Sequence, residues 1–416
     1  MDAVAGAPGD LSLASAAVQE NPYDYYDVLR EQAPVYYDPQ LKVYIVSRYD
    51  LLMEAIRNTD VFSNIGSQAP AEMRAPPPEV KEIEKRGWPK VNTMVTNDPP
   101  SHTRYRKMVD YAFTPKRVRV LKPSMDEIVN MLIDGFIDQG KVELIHEFAV
   151  PVPLYVIADQ LGVTREDAPK FKIWSDASVA PLGLMLTDDE WIDSANKLLE
   201  FQRYFVAALD ERRQTPRDDL LSALVEVRDD DGKPLDNGEL LSIISQVLVA
   251  GNETTTNSIA AGMTLLIDNP DQQKLLREDP ARIPTFVEET LRLESAVQGL
   301  FRVVKEDTEL GGYAIPKGAR VMLRYAAANR DGAKFACPHE LDVERTNAGA
   351  HLAFGAGIHH CLGAQLARYE MISAFQAILA RMDNLAYAPS GNNFQHHPHL
   401  CLRGLKELWI TFDRKG

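Results

Sequence analysis

The sequence predicts a mainly α-helical fold with a small β region contributed by both ends of the chain. Three observations carry that expectation. Apolar residues recur at helical spacing through most of residues 100–295 and again over 361–382. Runs rich in β-branched and aromatic residues gather at about 30–65, 300–325 and 385–413. One helical stretch, from about Gly238 to Ile267, would reach ~45 Å at the usual rise, enough to cross a whole domain. With no repeats and no low-complexity tract, residues 1–416 read as a single domain.

In chain order, residues 20–60 read as helix, strand pair, helix. Lys42–Ser47 (KVYIVS) is β-rich, follows the turn signal DPQ and precedes the helical YDLLMEAIRN. Seven prolines between Pro70 and Pro100 then fragment regular structure, leaving a long loop with one short helix at most. Trp88 and Met94 within it suggest the cover of a binding site. Val179–Thr187 (VAPLGLMLT) separates two helical stretches, as a buried turn or as an apolar lid. Asp236 with Glu239 forms a capping pair at the start of the long helix. FRVVKE and RVMLRY, broken by GGYAIPKGA, read as strands, as do LCLRG and ELWITF near the C-terminus.

Composition excludes several functions. Of 416 residues, 45% are apolar, and 60 acidic against 45 basic residues give a net charge of −15. That balance argues against general nucleic-acid binding. Three irregularly spaced cysteines, Cys337, Cys361 and Cys401, make no disulfide framework. With no basic-then-apolar leader and no apolar run of membrane-spanning length, the expectation is a soluble cytoplasmic monomer.

The long helix breaks its own pattern. Between its apolar halves lies NETTTNS, Asn252–Ser258, seven polar residues in succession. Threonine is a poor helix former and competes for carbonyls one turn back, so a local distortion is expected beside Ala250 and Gly251. Seven in a row cover every direction of a helix, so some must face inward. Glu253 and Thr254 are candidates to pass protons and to hold a small polar ligand.

Cys361 precedes a helical run and follows a glycine-rich loop. A helix N-terminus there would favour thiolate over thiol, and Gly355, Gly357 and Gly363 would let backbone approach a flat partner closely. Zinc would need more ligands, because adjacent His359, His360 and Cys361 do not converge easily on one ion. A nucleophile would need a base, and no known nucleophile motif surrounds it. A haem thiolate would need one cysteine and cationic groups for two propionates. His396, His397, His399 and Cys401 (FQHHPHLCL) form a second cluster, read as pocket-edge residues at a turn.

FGAGIHHCLG, Phe354–Gly363, resembles the haem-binding motif F-G-x-G-x-H-x-C-x-G of the cytochrome P-450 haem-thiolate monooxygenases. AGNETT (Ala250–Thr255) is similar to the family's oxygen-activation motif, and ETLR (Glu289–Arg292) to its E-x-x-R. LDVERTN resembles the segment supplying the third triad residue, and DPPSHTRYR the segment that binds propionates. The resemblance spans about residues 20–413 and implies a long central helix over haem b, with the cysteine loop beneath. It implies Cys361 as axial iron ligand, and His102, Arg106, Arg302 and His359 as propionate partners. Ala250, Gly251, Phe354, Gly355 and Gly363 would complete the cofactor site, and Glu289, Arg292 and Arg345 a structural triad. Glu253 and Thr254 would deliver protons. Ala296 departs from the pattern, since relatives often carry proline there.

The implied reaction inserts one oxygen of O2 into a hydrophobic small molecule. Electrons would come from NAD(P)H through a ferredoxin and its reductase. Pocket candidates are Val247, Gly251, Val297, Leu300 and Leu400, predominantly apolar. Residues 102–122 hold seven basic side chains against Asp110, so an acidic ferredoxin is expected to dock near Arg104, Lys107, Lys116, Arg117 and Arg119. The rival readings are a haem-thiolate peroxygenase or isomerase, and a haem-based gas sensor.

Overall fold

The computed structural model describes residues 12–67, 76–110, 113–183 and 186–416. Part of the expected proline-rich loop, from Pro70 to residue 75, and Leu184 and Met185 of the expected lid lie outside the described residues.

The long helix runs Asn237–Asp268, within a residue of the span expected at either end. Its start is fixed by the expected pair. The Asp236 carboxylate accepts from the Glu239 N–H at 2.9 Å, and the Glu239 carboxylate accepts from the Asp236 N–H at 2.8 Å. Such a reciprocal cap stabilises a helix start by about 1 kcal/mol. The expected distortion at the threonines is absent, since helix continues without a break through residues 252–258. The Thr254 hydroxyl instead bonds one turn back to the Ala250 carbonyl at 2.7 Å, and Ser258 to the Thr254 carbonyl at 2.8 Å. Both hydroxyls are thereby satisfied inside the helix.

This helix belongs to two apolar clusters. Leu240, Leu241, Ile243, Ile244 and Leu248 pack with Phe171, Trp174, Phe201 and Phe205. Ile259, Met263 and Leu266 pack with Phe286 and Phe375. The polar stretch lies between. The helices Pro151–Leu161, Ala168–Val179, Ile283–Leu293 and Ala364–Arg381 all pack against it.

The strands are β1 (Val35–Asp38), β2 (Val43–Val46), β3 (Phe62–Ser63), β4 (Lys141–Glu143), β5 (Leu300–Val304), β6 (Thr308–Leu310), β7 (Tyr313–Ile315), β8 (Arg320–Leu323), β9 (Met382–Tyr387) and β10 (Trp409–Arg414). One sheet has the order β1-β2-β8-β5-β3, parallel only between β2 and β8. It joins residues 35–63 to residues 300–323, as expected, whereas the C-terminal strands do not enter it. A second sheet has the order β4-β10-β9, with Ile410 opposite Val142.

Three strand expectations change. GGYAIPKGA is more than a break, because Gly311 and Gly312, both at positive φ, turn β6 back on β7. LCLRG forms only one isolated bridge, Leu402 with Val297, and a second, His396 with Leu405, follows just beyond it. β4 appears inside the region read as helical, three residues long and paired with a strand far along the chain. No helix among the described residues is long and apolar enough to cross a membrane.

Candidate active site

Cys361 sits where a short 3-10 turn, Gly357–His359, leads into the helix Ala364–Arg381. Its N–H donates to the Phe354 carbonyl at 2.9 Å, closing the loop. Gly355 and Gly357 have φ of +63° and +65°, a conformation that strains any residue with a Cβ. At Gly355 this, rather than close approach, is the requirement, since a Cβ would find nothing nearer than 3.8 Å. At Gly363 a Cβ would meet no atom of the chain within 4 Å, so the packing itself does not demand glycine there. Burial pushes the Cys361 thiol up, although the N–H groups of Gly363 and Ala364 hydrogen-bond the sulfur and pull the other way. Burial therefore outweighs the helix end, and a coordinating cation is what would make this sulfur a thiolate.

Beside the loop lies a basic cluster. The His102 and His359 rings are 4.3 Å apart. Both nitrogens of His102 and Nε2 of His359 are buried with no hydrogen-bond partner. Burial, with the like charges of His102 and Arg302 adding to it, pushes His359 down to about 3. Burial and Arg106 likewise lower His102. Arg302 is also buried, and one arm donates to the Phe301 carbonyl at 2.8 Å. Asp98, the acid nearby, is taken by Ser63 at 2.5 Å and by the Asn64 N–H at 2.8 Å. Donors buried without acceptors are costly unless a ligand supplies them. These fit an anionic group such as a propionate pair. Arg106 fits less simply, because it is engaged by Asp110 at 2.6 Å and by the His360 carbonyl at 2.8 Å.

One face of the central helix is open at its middle. Ala250 is exposed, and Val247, Glu253 and Thr254 are half-buried, in a helix whose flanks are buried. Gly251 has a packing requirement of its own. A Cβ there would meet Ile157 Cδ1 at 2.7 Å, so its role is close packing on the helix Pro151–Leu161. Leu400 departs from expectation. Its side chain is buried in the cluster around Tyr25, Tyr26 and Leu29, and its carbonyl accepts from Arg324 at 2.6 Å. Val297 and Leu300 remain half-buried near the C-terminal turn. That turn is tied on by the Arg403 N–H to the Ala296 carbonyl at 2.9 Å and the Gln298 N–H to the Cys401 carbonyl at 2.7 Å.

Glu253 lies 3.7 Å from Lys172 on the helix Ala168–Val179, a partner that no local pattern signals. Glu370, buried on the cysteine helix beside Thr255, is pushed up to about 8 by burial. Its signal was legible as a lone acid on an apolar helix face. The histidines near the C-terminus diverge. His396 pairs with Glu20, while His399 Nδ1 accepts from the N–H groups of Cys401 and Leu402, each at 3.0 Å.

Glu289, Arg292 and Arg345 come together as expected. Arg292 grips both Glu289 oxygens at 2.6 and 2.9 Å, and Arg345 adds a contact at 3.0 Å. The remaining arginine arms reach the carbonyls of Pro338, Glu340 and Ala336. The basic segment changes character. Arg104 is held by Asp229 and Glu239, each at 2.8 Å, and Lys107 by Asp230 at 2.5 Å. These acids come from the linker and the start of the central helix, so Arg104 and Lys107 are already paired. Lys116, Arg117 and Arg119 stay exposed on the helix Pro115–Val120, which packs near the cysteine helix.

A family model for cytochrome P-450 matches residues 188–388. The chain is 36% identical to vitamin D(3) 25-hydroxylase of Pseudonocardia autotrophica, over 97% of each chain. It is also 36% identical to 6-deoxyerythronolide B hydroxylase of Saccharopolyspora erythraea, over 94% of this chain and 96% of that one. The solved structure of CYP109Q5 from Chondromyces apiculatus superposes with a TM-score of 0.86 at 33% identity, covering 97% of this chain and 98% of the other. The likeness runs along the whole chain, in sequence and in fold. The chain therefore belongs to the cytochrome P-450 family, the oxidoreductases that use haem and O2 to hydroxylate small molecules.

Proposed function

We propose that this P-450 oxidises a bulky, neutral, apolar molecule, with Cys361 as the iron ligand and His102, His359, Arg302 and Arg106 around the propionates. The observation that carries the reading is the pair of facing histidines, buried with three unpartnered nitrogens and no free carboxylate between them. When bound, the haem supplies the activation of O2 and the oxidising power that breaks a C–H bond. The chain supplies the rest. The Cys361 loop directs the N–H groups of Gly363 and Ala364 at the sulfur. The Thr254 hydroxyl, its proton given to the Ala250 carbonyl, keeps lone pairs for a donor on the open face. Glu253, at the outer edge beside Lys172, exchanges protons with the surface, while Thr254 accepts from and orients the donor that carries them inward.

Val247, Val297 and Leu300 support an apolar substrate, as do the relatives named for vitamin D(3) and 6-deoxyerythronolide B. Electrons arrive from a ferredoxin at Lys116, Arg117 and Arg119. Val120, 73% exposed, and Ile358 of the cysteine loop, 41% exposed, offer apolar contacts between charges there.

A CO difference spectrum of the reduced protein tests the ligand. A red-shifted thiolate-type Soret band is expected, and Cys361→Ser should abolish it; its absence from the wild type would overturn the reading. Thr254→Ala should send more electrons to peroxide per NAD(P)H consumed, and unchanged coupling would remove Thr254 from the mechanism. Reversing charge at Lys116 and Arg117 should slow reduction by an acidic ferredoxin, most at low salt. Spectral titration with a panel of hydrophobic compounds would define the substrate.

A further inference from the structure

The residue before the triad glutamate has its own network. Glu288 takes Arg368 Nε at 2.6 Å and Nη2 at 3.0 Å, a bidentate grip, and lies 3.1 Å from Nε2 of buried His351. The Arg368 guanidinium carbon stands 4.6 Å from the centre of the Phe354 ring. Phe354 is the residue whose carbonyl accepts the Cys361 N–H. Successive glutamates on the helix Ile283–Leu293 thus hold different parts of the protein. Glu289 fixes the segment around residues 336–345. Glu288 fixes the cysteine helix through Arg368 and the start of the cysteine loop through His351.

We propose that Arg368, clamped by Glu288, is a positioning residue that packs the Phe354 side of the Cys361 loop and sets the electrostatic environment of its sulfur. The proposal rests on Cys361 being the iron ligand. Its geometry is directional, because the cation of the pair lies over the ring next to the sulfur loop while the carboxylate lies beyond it, on the neighbouring helix. Cation over ring holds Phe354 in place, and Phe354 in turn holds the Cys361 amide. A planar fork is needed both to grip two carboxylate oxygens and to stack, so lysine would keep the charge and lose the geometry.

The test is the ferric/ferrous midpoint potential of the purified haem protein, with the CO difference spectrum recorded on each variant. Arg368→Gln leaves the Glu288 carboxylate uncompensated, so the more positive ferric state is favoured. The ferrous-to-ferric ratio at fixed potential should fall about tenfold, a downward shift of ~59 mV for one electron. Glu288→Gln leaves the cation uncompensated and should shift the midpoint upward. The double variant should return towards the wild type. Arg368→Lys should keep the midpoint while losing the thiolate-type CO band faster on mild heating. Arg381→Gln, at the far end of the same helix in an exposed pair with Asp134, should change neither. Loss of packing alone would not move the two single variants in opposite directions. If Arg368→Gln does not fold, Glu288→Gln and Arg368→Lys still decide the matter. Unmoved or like-signed midpoints in variants that keep the thiolate band would overturn the role of Arg368. A wild type without that band would overturn the Cys361 ligation instead.

Discussion

Two buried charged clusters in this protein are built on opposite terms. Around Glu289, two arginines and a carboxylate are closed into a network in which their donors meet oxygens of the carboxylate or of the main chain. Around His102 and His359, bases face each other and the nearby acid, Asp98, is already committed to Ser63 and Asn64. The first cluster holds the fold together by itself. The second leaves donors that only a ligand can satisfy. Burial of ionisable groups is common to both, so what separates a brace from a binding site is whether the hydrogen bonds close within the chain.

Breaking each cluster should therefore give a different kind of damage. The largest effect is expected from Glu289→Gln, which strands two buried guanidinium groups. Denaturant unfolding should show a loss of about 3–5 kcal/mol, with or without haem. His102→Asn should leave the unfolding of the apoprotein within about 1 kcal/mol of wild type. Its haem, however, should pass to an excess of a scavenging protein about 10- to 100-fold faster, the worth of a charged hydrogen bond. A similar loss in both proteins would dissolve the distinction.

Glu288 sharpens it further, because pH can read this group. Burial alone would raise its carboxyl, but His351, 3.1 Å away, and the bidentate Arg368 hold it down at about 2, against an ordinary 4.5. A lowered folded value means the stabilisation is present above pH 4.5 and is lost as pH falls towards 2. At neutral pH, Glu288→Gln should be less stable by on the order of 2 kcal/mol, and the gap should close below pH 4.5 in denaturation curves. The smallest effect belongs to Lys107→Ala, which breaks an exposed pair with Asp230. Its unfolding free energy should change by less than about 0.5 kcal/mol.

Much of this architecture was legible because it is local. The capping pair at Asp236 and Glu239 lies within one turn, and the helix it starts shows its apolar halves on either side of a polar run. The Cys361 loop carries its glycines and cysteine within ten residues. What was not legible depends on distant partners. Arg104 and Lys107 looked like free cations because Asp229, Asp230 and Glu239 lie more than 120 residues on. β4 is too short to declare itself and exists because β10 pairs with it. The missing Cβ of Gly251 is needed by Ile157, a neighbour that nothing near the glycine in sequence announces. Glu288 was overshadowed by Glu289, whose motif was recognised, while its partners Arg368 and His351 carry no local sign of the pairing.

The central helix is fixed towards both ends in separate apolar clusters and carries its longest polar run between them. That division separates what can vary from what cannot. On the proposed reading, the pocket walls Val297 and Leu300 pack outside both clusters, so Thr254 should keep its place over a changing repertoire of substrates. An enzyme arranged this way can be retargeted by small steps, each leaving the machinery for handling oxygen intact. Selection for a new substrate, in the laboratory or outside it, should accordingly concentrate its changes on those walls and spare the buried flanks of the helix.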